Sequence, residues 1–240
     1  MAPLPRTRLK VLSAGAVKHV VTASAATFTR ATGDEIELSF GTIGAVQKRL
    51  AAGETADIII GTAAAIVQME QSGVLVAGGR ADLGVTSTGI CARAGSPVPD
   101  ISTPECCKRA MLAARSIAYT DPKAGGTSGI FLVGLFERLG IAEAVSGKVI
   151  TCRNGDEVVE KVLAGEAELG STFVSEIVPV KGVTLVGTLP AAIRNATAYA
   201  AGIMAGSCYA DAARRLIAML TAPAQRQAWK SLGFEPIAAG

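Results

Sequence analysis

Residues 57–61, DIIIG, form a continuous apolar run closed by a glycine, and AAAIVQMEQSG follows at once with helical length before Gly73. A strand with no polar alternation is covered on both faces, as parallel strands are. The same order recurs upstream. Residues 9–13 (LKVLS) read as a strand, and a helix from Ala16 to Thr32 ends at Gly33. Residues 35–40 (EIELSF) alternate as a second strand, and GTIG (41–44) opens a helix that runs to Ala52. Strand and helix alternating three times predict a parallel sheet with helices on its faces.

The pattern then starts again. Residues 83–92 (LGVTSTGICA) are extended, and 103–114 form a helix with Pro104 in its first turn. Strand, helix, strand, helix, strand follow over 116–120, 130–139, 148–152, 156–163 and 168–172. VQKRLAAGETADIII (46–60) is echoed by VVEKVLAGEAELGST (158–172): amphipathic helix, AGE turn, acidic residue, strand. The echo predicts two similarly built halves. Residues 184–186 and 196–205 look extended, 207–221 form a helix capped by Ser207 with Asp211 and Arg215 one turn apart, and 223–232 form another. The predicted fold is a two-lobed α/β protein, each lobe a mostly parallel sheet flanked by helices, with a hinge and a central cleft. Lobe 1 spans 1–86, lobe 2 spans 87–195, and 196–240 return to complete lobe 1.

Composition narrows the function classes. The formal charge is +3, and the basic residues are dispersed with no aromatic interleaving, so the chain lacks a nucleic-acid stripe. The cysteines number five, an odd count with Cys106 and Cys107 adjacent, and there is one histidine. No disulfide framework or zinc pattern follows from that set, and the reading is free thiols with no metal and no cofactor. No run of eighteen apolar residues offers a membrane span. The opening MAPLPRTRLKVLSAGAVKHVV is broken by Lys18 and His19 and is unlike a secretory leader. These points give a cytoplasmic expectation, or a periplasmic one if a leader has been removed.

Four strand ends run into helix starts rich in Gly, Ser or Thr: Ser13-Ala14-Gly15 ahead of Ala16, Gly41-Thr42-Ile43-Gly44, Gly61-Thr62, and Gly125-Gly126-Thr127-Ser128-Gly129. The first N–H groups of a helix have no intrahelical acceptor, and the helix dipole adds positive charge there. Glycine admits an anion closely and hydroxyls add donors. In open parallel sheets the ligand crevice lies beyond these strand ends. The same residue types also cap helices without any ligand; their recurrence in both halves favours a small anionic ligand. A nucleotide is a poor fit, because no lysine follows the 125–129 glycines and the first strand leads into SAGAVKH rather than GxGxxG.

The chain resembles the bacterial periplasmic molybdate-binding proteins of the type II periplasmic-binding-protein fold, including relatives that resemble aconitate isomerase. The likeness rests on LSAGAVKHV (12–20), FGTIGAVQKRLAAGETADIII (40–60), YTDP (119–122), GIFLVGLFERLGI (129–141), LGSTFVSEIVPVKGVTLVG (169–187) and QAWKSLGF (227–234), nearly the whole chain. It implies two lobes, a hinge, an enclosed oxyanion, and ligand contacts at Gly15, Thr42, Thr127, Ser128 and Phe173. Three positions depart from the molybdate pattern. Gly15 and Phe173 stand where that pattern supplies hydroxyls, and GTIG replaces a serine-rich loop. A site short of donors and roomier suits a carboxylate better than tetrahedral molybdate.

Two functions follow. One is a cofactor-free isomerase acting on a small unsaturated di- or tricarboxylate by allylic proton transfer. The other is a molybdate- or organic-anion-binding protein without catalysis, which alone would call for a transporter partner. The isomerase needs an anion cradle and a proton carrier. His19 is the natural proton carrier near neutral pH, and Lys18 the natural anion partner. Arg194 reads either as a partner for a carboxylate or as a solvent-facing charge, with Ala16, Gly44 and their neighbouring N–H groups as the cradle. Glu176, one turn after Phe173, reads as an acid or as an ordinary helix charge.

Overall fold

The computed structural model describes residues 7–236. They divide into two compact units, one running to Val85 and resuming at Thr197, the other Thr86–Ala196.

Unit 1 is built on β1 (Arg8–Ala14), β2 (Glu35–Gly41), β3 (Ile58–Thr62), β4 (Ala81–Thr86) and, from the returning chain, β10 (Thr197–Ile203), in the order β2-β1-β3-β10-β4. β1 is parallel to both β2 and β3, and β10 is antiparallel to β3. A 3-10 turn at Gly15–Val17 leads into α1 (Lys18–Thr32), which closes on Gly33 in the left-handed region at φ 79°. β2 leads into α2 (Ile43–Ala51) and β3 into α3 (Ala63–Gln71). The apolar run found in the sequence is the centre of the core: Ile58, Ile59 and Ile60 are fully buried, each worth roughly 1.5–3 kcal/mol of transfer free energy. The unit finishes with α9 (Ala210–Thr221) and α10 (Arg226–Ser231); Trp229 of α10 donates its indole N–H to Leu220 O.

Unit 2 holds β5 (Thr88–Arg93), β6 (Ile117–Thr120), β7 (Val149–Cys152), β8 (Leu169–Phe173) and β9 (Val183–Thr188), in the order β7-β6-β8-β5-β9. β6 is parallel to β7 and β8, while β5 runs against both β8 and β9. Its helices are α4 (Pro104–Ala113), α5 (Thr127–Arg138), α6 (Ala142–Ser146), α7 (Gly155–Leu163) and α8 (Val174–Ile177). One face of this sheet packs Ile90, Ile117, Tyr119 and Leu169 with α4 and α5 residues; the other packs Cys91, Ala118 and Val158.

The two sheets therefore repeat one plan: a central strand, a parallel neighbour on each side, then a strand running the other way. The two-lobed expectation holds, and the sequence echo falls on equivalent parts, α2–β3 in unit 1 and α7–β8 in unit 2. Three local expectations are corrected. The extended run 83–92 is two strands in two different sheets, broken at Ser87. Ser207 does not cap α9: its hydroxyl donates to Asp57 Oδ1 at 2.6 Å, and the helix begins at Ala210. The Ser207 oxygen accepts the Tyr209 N–H at 3.1 Å, ahead of the helix, and the other oxygen of Asp57 holds the Lys10 N–H at 2.8 Å, tying β1, β3 and the returning chain together. Likewise Arg215 bonds Asp34 rather than Asp211, which takes Arg214.

Candidate functional site

In unit 1, the parallel strands β1, β2 and β3 are neighbours, so their carboxyl ends line one edge of the sheet. Ala14 pairs with Gly41 in register, which brings the turn at Gly15 beside Thr42. Each strand end becomes a helix start within a residue or two. The local reason is capping. Thr42 accepts the Ala45 N–H at 3.1 Å and Thr62 accepts the Ala65 N–H at 3.3 Å, each from an extended backbone. A methyl group on Gly61 would fall on the end of the Ile43 side chain, which would have to turn aside. Ile43, packed in part against the core of this unit, thus sets an apolar side chain over Gly61 near the end of β3.

This edge gathers Gly15, Ala16, Thr42 and Gly44 of the expected set. Gly15, Thr42 and Gly44 are half-buried and Ala16 is buried. Lys18 and His19 occupy the first turn of α1, just beyond Gly15, and both are half-buried.

In unit 2, β6 ends at Thr120, and Asp121 caps the following 3-10 turn by accepting the Lys123 N–H at 2.9 Å. Gly125 then takes the left-handed conformation at φ 73°, and α5 begins at Thr127. The chain passes close over its own strand here. A methyl group on Gly126 would strike the Thr120 side chain, and one on Gly129 would fall on the Thr120 carbonyl. Ser128 is buried and its hydroxyl pairs with Thr120 Oγ1 at 3.0 Å. Its side chain is committed to the protein interior, and the α5 mouth offers backbone N–H groups with the half-buried Thr127. Phe173 is buried at the end of β8. Arg194 is exposed, one residue before Asn195, whose Oδ1 accepts the Thr88 N–H at 2.9 Å. Unit 2 thus contains Thr127, Ser128, Phe173 and Arg194, with the first two on α5 and Phe173 on the strand next to β6.

Glu176 reads from the sequence as an acid or as an ordinary helix charge. It is only 5% exposed, and its Oε2 accepts the Thr172 hydroxyl and, at 3.3 Å, the Phe173 N–H. Its period-three spacing from Phe173 was visible, but its contact with Gly155 at the start of α7 was not. Among the described residues, no cluster of three or more His, Cys, Asp or Glu is placed to hold a metal ion, and no helix is long and apolar enough to cross a membrane.

The family model for bacterial extracellular solute-binding proteins matches residues 9–235. The chain belongs to that family. It is 31% identical to the aconitate isomerase of a Pseudomonas species over all of this chain and 92% of that one. The Azotobacter vinelandii periplasmic molybdate-binding protein superposes with a TM-score of 0.77 at 18% identity, covering 95% of this chain and 99% of that one. The sulfate-binding protein SubI of Mycobacterium tuberculosis H37Rv superposes with a TM-score of 0.74 at 14% identity, covering 97% and 88%. The fold is therefore that of the type II periplasmic binding proteins, and the protein is a solute-binding protein of that kind, distantly related to aconitate isomerase. The cytoplasmic expectation is overturned by the same finding: the family is extracellular, and the molybdate-binding relative is periplasmic. The mistake came from treating the first residues as evidence of compartment.

Proposed function

We propose that this protein binds a small organic polycarboxylate, of the chemical class of aconitate, at the helix mouths of unit 1. The observation that carries the reading is the edge formed by β1, β2 and β3. Three strand ends open there side by side into helix starts, with Thr42 and Thr62 as caps and the Ile43 side chain across Gly61. Helix N-termini favour the negative ends of a ligand. An apolar side chain beside them favours a carbon skeleton over a bare tetrahedral oxyanion, which would want a donor at every oxygen. The 31% identity to an aconitate isomerase points to the same ligand class.

Catalysis is a second reading, favoured by Lys18 and His19 standing together in the first turn of α1 beside Gly15. A base there would remove a proton from the saturated carbon next to the double bond. The resulting allylic carbanion, with charge spread onto a carboxylate held by N–H donors, would then be protonated at the far carbon of the allyl unit. The proton count balances, and neither a cofactor nor an oxidant enters.

Thermal unfolding with molybdate, sulfate, citrate, cis-aconitate and trans-aconitate tests the binding reading, because a ligand that binds only the folded state raises apparent stability. Shifts with the carboxylates and none with molybdate or sulfate are expected. A shift with molybdate alone would sink the proposal. Proton NMR of an aconitate isomer in deuterated water tests the second reading: conversion to the other isomer supports it, and unchanged signals with a bound ligand leave a binding protein without catalysis.

A further inference from the structure

Because the two sheets share one plan, their helix mouths can be compared in pairs. α2 follows β2 and α7 follows β7, each on the outer strand of its parallel trio; α3 follows β3 and α8 follows β8, each on the inner one. The third residue of α3 is Ala65 and the third residue of α8 is Glu176. The difference has a physical consequence. Glu176 reaches back past Thr172 and Phe173 and lays its carboxylate against Gly155, the first residue of α7. A methyl group on Gly155 would coincide with the carboxylate carbon and both oxygens. Glycine stands there because only bare backbone leaves room.

Burying a carboxylate is costly unless donors and positive charge meet it. Here a hydroxyl and an N–H converge on one oxygen, and the positive end of a nine-residue helix lies beneath. The N-cap Asn154 takes the Glu157 N–H at 3.0 Å, so the rest of that first turn is capped conventionally. In unit 1 the residue equivalent to Glu176 is an alanine, and the α2 mouth contains no side-chain carboxylate from α3.

We propose that Glu176 is a built-in anion that fills the α7 mouth, leaving unit 2 with the α5 mouth for an external ligand; the α2 mouth of unit 1 carries the apolar Ile43 side chain instead of a carboxylate. Glu176 is thereby a positioning residue: it holds the Phe173 backbone and occupies the α7 mouth with its own carboxylate. The occupancy of the α7 mouth stands independently of the polycarboxylate reading above.

Chemical rescue tests it. Glu176→Ala should lower the melting temperature, and formate should restore part of the loss, by about 2–4 °C at saturation, beyond what chloride does at equal ionic strength. Wild type should show no such formate-specific rise. Gly155→Ala should be damaging in wild type and nearly harmless in the Glu176→Ala background, a non-additivity that direct contact requires. Should the alanine variant fail to fold, Glu176→Gln decides, since it keeps the shape and removes the charge. An amide variant that is clearly less stable than wild type supports the proposal. An amide variant as stable as wild type, or formate acting equally on wild type and Glu176→Ala, overturns it. The formate measurement needs no aconitate binding, so a silent carboxylate panel with intact formate rescue would remove only the polycarboxylate reading.

Discussion

Thr120 and Gly129 are locked together at the end of β6: the Gly129 N–H donates to Thr120 Oγ1 at 2.9 Å, and the Thr120 carbonyl fills the space of a Gly129 side chain. On an exposed helix, glycine to alanine would stabilise. Here the sign reverses, because the obstacle is backbone and cannot rotate away. Gly129→Ala should destabilise by about 1–3 kcal/mol or more, as overpacking does, measured by urea unfolding. Thr120→Val should cost a similar amount by stranding the Gly129 N–H and the Ser128 hydroxyl in a buried place.

Acid should weaken unit 1 through Glu54. Its carboxylate receives Arg49 on both oxygens, at 2.6 and 2.7 Å, and Lys10 at 2.8 Å. The Arg49 hydrogen bonds, then that of Lys10, hold its pKa down at about 2, against 4.5 for an ordinary glutamate. A depressed folded-state value means that the contribution is complete above pH 4.5 and is lost as the pH falls from there toward 2. The urea midpoint of wild type should therefore drop across that window, and that of Glu54→Gln should drop less. Parallel curves for the two proteins would contradict the assignment.

The fold was legible in the sequence because its signals are local. Ile58–Ile60 announce a doubly covered strand, Gly33 ends α1, Thr42 and Thr62 cap helices, and the AGE echo marks equivalent halves. The failures share a different cause. Ser207 looked like a helix cap, but α9 starts later, at Ala210, and the Ser207 hydroxyl bridges the Tyr209 N–H and Asp57, 150 positions away. The run 83–92 is extended throughout, and nothing in it says that its two parts enter different sheets. The candidate site divides in the same way. The mouth at Thr42 could be read from spacing alone, since a cap and the N–H that donates to it lie within one turn. The burial of Ser128 on Thr120 and of Glu176 on Gly155 depends on which strands neighbour one another, which no local pattern encodes.

The thiols should react in an order set by burial. Cys208 is exposed and Cys106 is half-buried, whereas Cys91, Cys107 and Cys152 are buried. Burial pushes the Cys91 thiol up to about 12 and those of Cys107 and Cys152 up to about 11, which suppresses the thiolate that does the chemistry. Alkylation of the native protein near pH 8 should label Cys208 first and Cys106 next. The other three should react only in denaturant, as followed by peptide mass spectrometry. Fast labelling of Cys91 in the native protein would mean that the β5–β8 region opens readily.

Thr62 offers the cleanest separation of stability from binding. As N-cap of α3 it accepts the Ala65 N–H, and it lies on the edge proposed to receive the ligand. Thr62→Val keeps the shape and removes the oxygen, so the unliganded protein should lose about 1 kcal/mol. It should also lose part of the carboxylate-induced melting shift, since the hydroxyl proton is gone. Thr62→Ser should preserve both. Thr103 is the comparison: it caps α4 in the same way, accepting the Cys106 N–H at 3.1 Å, but α4 does not follow a parallel strand end. Thr103→Val should cost similar stability and leave the ligand shift unchanged. If both valine variants reduce the ligand shift equally, the effect belongs to general destabilisation, and the edge of β1, β2 and β3 is not where the ligand's carboxylates are held.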